Sequence, residues 1–227
     1  SSLQAATRGN AHVIIRIPMH EVLLKLMKKI SFPLAAPSAN TSGKFSATTA
    51  EMVEADLGNK IDGVLDGGAS TVGLESTILD CRKNDEVKIL RPGAIGKKDI
   101  EWCLRSTTVT VTEESSFGIT TPGSKYKHYS PATPLTSVSS ASEISTENNF
   151  AVIGLEEDKR QFFSIGKNKF ISLGSETNLN EVASNLYRKM FELDSLHVAH
   201  GYFIKRDFGN SAIGKAIANR LLHMLSG

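Results

Sequence analysis

The chain has 227 residues, 40% of them apolar and 22% charged, which suffices for one sizeable core or two modest ones and excludes wholesale disorder. Lys and Arg number 26 against 24 Asp and Glu, so no basic excess obliges a nucleic-acid partner. No apolar run approaches the ~18 residues of a membrane span and no charged leader precedes an apolar core, so no membrane contact is expected and the cytoplasm is the default location.

Two cysteines, Cys81 and Cys103, are too few and too far apart for a metal knuckle or a disulfide framework. Buried thiols in a reducing compartment are expected, with no metal site.

In chain order, Ser1 is not a methionine, and Ala11 to Ile17 reads as a strand with almost no preceding structure to pair with. The start therefore reads as the middle of a domain, a fragment missing upstream elements. Met19 to Lys29 carries Val22, Leu23, Leu26, Met27 and Ile30 at helical spacing, with lysines on the other face. Ile30 to Ala36 is a short apolar run broken by Pro33, and Ser38, Asn40, Thr41, Ser42, Gly43, Ser46 and Thr48 crowd its exit. Two readings stand for that crowd: polar groups surrounding a ligand at a strand exit, or a Ser/Asn-rich turn leading into a helix capped by Thr48 or Thr49 and running to Leu57.

Strands are expected at Gly63 to Leu65, Ser76 to Asp80 and Val87 to Leu90, and a short helix at Lys98 to Leu104, an α/β pattern. Arg16 and Arg91 each stand at a strand end just before a proline. Two such guanidiniums can clamp an anion or form surface salt bridges. Glu75 can pair with a lysine. No hydrolase elbow or paired-carboxylate site stands out.

Residues 113–145 contain nine Ser, four Thr, three Pro and two Gly, a linker composition. Its centre, Lys125-Tyr-Lys-His-Tyr129, is too rich in aromatic and basic groups for a mere spacer, so the linker is expected to dock. From Phe150 a second unit follows, with strands at Phe150 to Leu155, Phe170 to Leu173 and Ser195 to Ala199 and helices at Asn180 to Phe191 and Ser211 to Leu225. Asn180 reads as the cap of the first of these helices. The Gly209 and Gly214 pair reads as close helix packing rather than a phosphate loop.

The segments Ile15-Arg-Ile-Pro18, Ala36-Pro-Ser-Ala-Asn-Thr-Ser-Gly43, Leu65-Asp-Gly-Gly68, Gly73-Leu-Glu-Ser-Thr77 and Leu90-Arg-Pro-Gly-Ala-Ile95 resemble the second half of the YrdC/YwlC-type L-threonylcarbamoyladenylate synthase domain. Pro122 to Pro131 resembles the interdomain loop of the two-domain members, and Gly214-Lys-Ala-Ile-Ala-Asn-Arg-Leu221 resembles their C-terminal helix. The family's upstream Pro-Thr-Glu-Thr and Lys-x-Arg motifs have no counterpart, so the N-terminal half of the catalytic domain is read as lacking and this polypeptide alone as inactive.

The resemblance implies an α/β fold: a YrdC-like twisted mixed sheet with helices over residues 1–112, a linker and active-site loop at 113–145, and a small Rossmann-like parallel domain at 146–227. It implies condensation of L-threonine, bicarbonate and ATP into threonylcarbamoyl-AMP and pyrophosphate for tRNA modification, with Mg²⁺ carried by the nucleotide. By the same resemblance Arg16 would hold the threonine carboxylate, while Ser38 and Asn40 would orient threonine and phosphate. Thr48 and Arg91 would contact the nucleotide, Ser76 the amino acid. Lys125, Tyr126, His128 and Tyr129 would form a lid held by the C-terminal domain, whose deletion after Ser145 would leave the pocket formed. The downstream partner is the tRNA threonylcarbamoyl-transfer machinery. The rival readings are a module that contacts double-stranded RNA or tRNA, and carbamoyl transfer within the larger hydrogenase-maturation proteins.

Overall fold

The structure is a computed structural model that describes residue 7 and residues 11–113, 129–145, 149–162 and 169–225. The chain divides into two compact units, residues 1–38 and residues 39–227. The first holds helix α1 (Glu21–Met27), whose N-terminus is capped by His20 Nδ1 accepting from the Leu23 amide at 3.4 Å. No residue of α1 is buried. The strands expected at residues 11–17 and 30–36 do not form. A strand exists only as part of a hydrogen-bonded ladder, and neither segment has one among the described residues.

The second unit begins with the polar segment and α2 (Ala50–Leu57), where Thr49 caps the helix by accepting from the Met52 amide. A three-stranded sheet follows in the order β1 (Ile78–Asp80), β2 (Glu86–Arg91), β3 (Thr110–Glu113). β1 and β2 are antiparallel, β2 and β3 parallel, so the sheet is mixed as expected. Helix α3 (Lys97–Cys103) covers it through Ile100, which packs on Ile89 and Val111. Residues 63–65 form no strand, and β3 lies where no strand is read from the sequence. Cys81 and Cys103 are free and exposed rather than buried, because one follows the short edge strand β1 and the other ends α3.

A second sheet is parallel throughout. Its strands are β4 (Leu135–Val138), β5 (Phe150–Gly154), β6 (Lys169–Ser172) and β7 (His200–Ile204), in the order β4-β7-β5-β6. The short α4 (Lys159–Phe162) precedes β6. β5 lies inside the sheet and is buried at every position, as a strand covered on both faces must be. Its side chains alternate between two cores: Ala151 and Ile153 join one, Phe150 and Val152 the other.

The first core is closed by α5 (Leu179–Ser195) and α6 (Ala212–Leu225), whose stripes of Val182, Leu186, Met190 and Leu193 and of Ile217, Leu221 and Met224 recur at helical spacing. Asn178, not Asn180, caps α5, its side chain accepting from the Glu181 amide. α5 also runs four residues beyond the expected Phe191 end, which moves the next strand from 195–199 to 200–204. Among the described residues no helix is long and apolar enough to cross a membrane.

The same core contains Phe45 and Met52. Phe45 stacks on Tyr187 with centroids 6.4 Å apart and meets Phe191 edge-on at 6.5 Å. The polar segment is thus rooted in the C-terminal helices, and β4 lies inside the stretch whose composition reads as a linker.

Gly214 begins the buried face of α6, and a Cβ placed there would lie 2.1 Å from the Phe208 carbonyl oxygen. Glycine in a helix ordinarily costs up to ~1 kcal/mol relative to alanine. Here the sign reverses: Gly214→Ala destabilises the protein, read as a lower midpoint of urea unfolding, because the backbone loop at residue 208 must move.

Candidate active site

The site assembles where three backbone turns of the second unit meet α5 and α6. The first turn, residues 40–44, is held by Asp56 on α2. Its carboxylate accepts from the Thr41 amide, from Thr41 Oγ1 at 3.0 Å and from Lys44 Nζ at 2.7 Å. Burial raises the Asp56 carboxyl, but the Lys44 hydrogen bond and those from Thr41 outweigh it and keep it below the ordinary aspartate value. Inside this turn Asn40 Nδ2 donates to the carbonyls of Thr41 (2.9 Å) and Lys44 (3.1 Å). These two acceptors fix the amide, and its Oδ1 is buried with no partner. An orphaned buried acceptor costs roughly 1–3 kcal/mol, which a donor on a ligand would recover.

The second turn is Gly73 to Thr77. Gly73 has φ +73 and sits where a Cβ would be 2.5 Å from Ser184 Cα, so the backbone lies directly on α5. This places Glu75 against the two C-terminal helices. Its carboxylate accepts from Ser46 Oγ (2.6 Å), Tyr187 Oη (3.1 Å) and Arg220 Nε (2.7 Å). Arg220 is fully buried; besides Glu75 it donates to the carbonyls of Glu75 (2.9 Å) and Pro92 (2.7 Å) and to Asn219 Oδ1 (3.0 Å). Burial raises the Glu75 carboxyl, yet the Arg220 charge and then hydrogen bonds from Ser46 and Arg220 hold it below its ordinary 4.5.

The third turn leaves β2 at Arg91. Arg91 Nε and Nη2 both donate to the Ser76 carbonyl, at 3.2 and 3.0 Å. Burial first, and then the neighbouring Arg220 charge, lower Arg91 from its ordinary value, with Glu75 opposing them. Tyr129 closes the group from the end of the aromatic segment, stacked on Tyr187 at 5.7 Å and edge-on to His223 at 6.3 Å. Its φ of 68° is rare for a residue with a Cβ, and such backbone strain persists where surrounding contacts fix it. Burial and the Glu75 charge push its phenol up, while Arg91 and Arg220 pull it down.

Of the residues singled out in the sequence, Ser76, Arg91 and Tyr129 are brought together, and Asn40 stands in the turn held by Asp56. Ser76 contributes its carbonyl to Arg91, and its side chain is exposed. Thr48 is buried at the start of α2 with its hydroxyl on Met52 Sδ at 3.4 Å. Arg16 and Ser38 belong to the first unit, where both are exposed. Lys125, Tyr126 and His128 lie outside the described residues. Glu75 pairs with an arginine, not a lysine. Tyr187 and Arg220, which lie beyond Ser145, hold Glu75 and Phe45.

Tyr187 and Asp56 carry no motif by themselves, and nothing in the sequence gives Arg220 or Ser46 its partner. For Arg220 a signal was present: a charge among Ile217, Leu221 and Met224 on the apolar stripe of α6 requires a buried counter-charge.

A family model described as telomere recombination, for the Sua5, YciO and YrdC proteins, matches residues 2–93. A second, described as threonylcarbamoyl-AMP synthase, C-terminal domain, matches residues 95–223. The chain is 35% identical to the threonylcarbamoyl-AMP synthase of Bacillus subtilis over 97% of its length, covering 65% of that protein. It is 30% identical to the synthase of Pyrococcus abyssi, over 95% of this chain and 64% of the relative. With the Schizosaccharomyces pombe synthase it shares 32%, over 95% of this chain and 57% of the relative. The crystal structure of P. abyssi Sua5 complexed with L-threonine superposes with a TM-score of 0.76 at 28% identity, over 98% of this chain and 66% of that one.

Fold and matches together define a two-domain α/β protein of the Sua5/YrdC class. The chain belongs to the threonylcarbamoyl-AMP synthase family. The two matches run from residue 2 to residue 223, and they do not bear out the expectation that half of the first domain is lacking. The chain spans less than two thirds of the length of the curated relatives it matches, 65% for the first of them.

The Glu75 and Arg220 pair sets a pH dependence. A carboxylate whose folded value is depressed adds stability that is fully present above its unfolded value, here near 4.5, and lost as pH falls through the folded one. At pH 7, Glu75→Gln leaves a buried guanidinium without its counter-charge and costs about 3–5 kcal/mol. In urea unfolding the gap between wild type and Glu75→Gln narrows steadily from pH 5 to pH 3, and a gap independent of pH would show that the pair is not the source.

Proposed function

We propose that the protein forms threonylcarbamoyl-AMP and pyrophosphate from L-threonine, bicarbonate and ATP, the activated group then serving N6-threonylcarbamoyladenosine formation in tRNA. The observation that carries this reading is charge. Among the described residues gathered at the site, two guanidiniums, Arg91 and Arg220, interact with one carboxylate, Glu75, which leaves one positive charge uncompensated where the groups are partly desolvated. Such a site favours an anion, and a planar guanidinium matches a phosphate or carboxylate. Family membership and the L-threonine complex of the P. abyssi relative supply the substrate class.

The chemistry asks for positioning more than for proton transfer. The threonine amine is carboxylated by bicarbonate with loss of water. An oxygen of the resulting carbamate attacks the α-phosphorus of ATP, and the bond to pyrophosphate breaks. Arg91 offsets charge on the nucleotide phosphate during that displacement. Asn40 Oδ1 accepts from a donor on the amino acid or the nucleotide, in a turn that Asp56 already holds rigid. Tyr129 marks where the aromatic segment reaches the site, and its stacking on Tyr187 supports a lid role for that segment. For Arg16 and Ser38 the family resemblance alone is the support. Mg²⁺ would enter bound to the triphosphate oxygens, as the family resemblance implies.

In the full-length protein, pyrophosphate release from ATP depends on both L-threonine and bicarbonate, and Arg91→Ala lowers kcat/KM for ATP about 100-fold. Release that ignores L-threonine overturns the reading. Removing the Asp56 clamp is milder: Asp56→Ala raises KM about tenfold with a smaller change in kcat, since it loosens the turn without removing a group that meets the reacting atoms.

A further inference from the structure

Among the described charged residues Arg220 is the most deeply buried, and it takes no part in the proposed reaction. Arg220 is fully buried on α6, far along the chain from the turns that bind it, and its donors reach two backbone carbonyls, those of Glu75 and Pro92. These two positions bracket Arg91. Glu75 immediately precedes Ser76, whose carbonyl accepts from Arg91 Nε and Nη2, and Pro92 immediately follows Arg91 itself. One planar group therefore fixes the backbone beside the anchor of Arg91 and the backbone beside its root.

A helix could be docked against these turns with apolar side chains alone. What a buried guanidinium adds is a rigid fork whose donors fix carbonyls in direction as well as in distance. Its positive charge also repels Arg91, while the Glu75 carboxylate, held by Ser46 and Tyr187, attracts it.

We propose that Arg220 is a positioning residue for the candidate site: acting through Glu75, the Ser76 carbonyl and Pro92, it aims the Arg91 guanidinium at the phosphate of a bound adenylate. The C-terminal domain thereby takes part in binding through a side chain it sends beneath the site, in addition to any hold on the aromatic segment. The inference rests on the proposed function for the identity of the anion, an adenosine phosphate.

The test is a double-mutant cycle in the full-length protein, read by calorimetric affinity for AMP, with folding checked by near-ultraviolet circular dichroism. Arg220→Lys and Arg91→Lys each keep the charge and lose the fork, and each is expected to weaken AMP about tenfold. If Arg220 acts through Arg91, the double variant is weakened about tenfold to twentyfold, because the fork of Arg91 is already gone. A merely structural role gives independent losses that multiply to about 100-fold, and that result overturns the proposal. Should Arg220→Lys not fold, Tyr187→Phe takes its place in the same cycle, since it removes only the hydroxyl on Glu75 and keeps the stacked ring. Multiplying losses there overturn the proposal equally, as does a wild-type protein that binds no AMP. Non-multiplying losses in a protein whose pyrophosphate release ignores L-threonine would uphold the positioning role while refuting the proposed reaction.

Discussion

The buried ion pair between Glu75 and Arg220 is the constraint on which the second unit turns. Moving two charges out of water costs several kcal/mol each, and the mutual attraction repays this only when the remaining donors and acceptors are also engaged. Both partners meet that condition. Arg220 reaches Glu75 twice, Pro92 and Asn219, while Glu75 also accepts from Ser46 and Tyr187. Five stretches far apart in sequence are therefore tied at one point, and none can shift without leaving a polar group unsatisfied in the interior. An apolar contact would tolerate sliding; this one specifies a single register between the turns and the helices.

The consequence for chemistry is preorganisation. A site that stabilises charge developing on phosphorus works best when its dipoles and cations need not reorient during the reaction. The described site has such a character. Arg91 is held by a carbonyl rather than by a carboxylate, so its charge is steered without being neutralised. The turn at residues 40–44 is held from below by Asp56, leaving the Asn40 oxygen without a partner. Tyr129 is held by Tyr187 on α5 and His223 on α6, the helix that also carries Arg220.

The packing also changes the meaning of the two-domain description. By composition the chain falls into a first α/β part, a Ser- and Thr-rich stretch and a second α/β part. Yet Phe45 and Met52 lie in the same core as Ile153, Leu186 and Ile217. The serine-rich stretch itself supplies β4, an edge strand paired with β7 from Leu135 to Val138. Ser and Thr are adequate strand residues once a partner strand is present, and partners are what composition cannot reveal.

The sequence by itself determined the periodic elements. α2 with its Thr49 cap, β2, α5, α6 and the buried strand β5 were legible because each depends on local rules, namely capping, helical spacing of apolar residues and an unbroken apolar run. Motifs also pointed to Asn40, Ser76 and Arg91. The tertiary structure decided what depends on partners. Residues 11–17, 30–36 and 63–65 carry apolar runs but have no ladder among the described residues, so they are not strands. Thr48 is buried, and Cys81 and Cys103 lie at the surface. The pairing of Glu75 with Arg220 spans 145 positions of sequence, a distance over which no spacing rule operates. A charge on an apolar stripe announces that a counter-charge must exist, because burial demands one; only the fold says which residue it is.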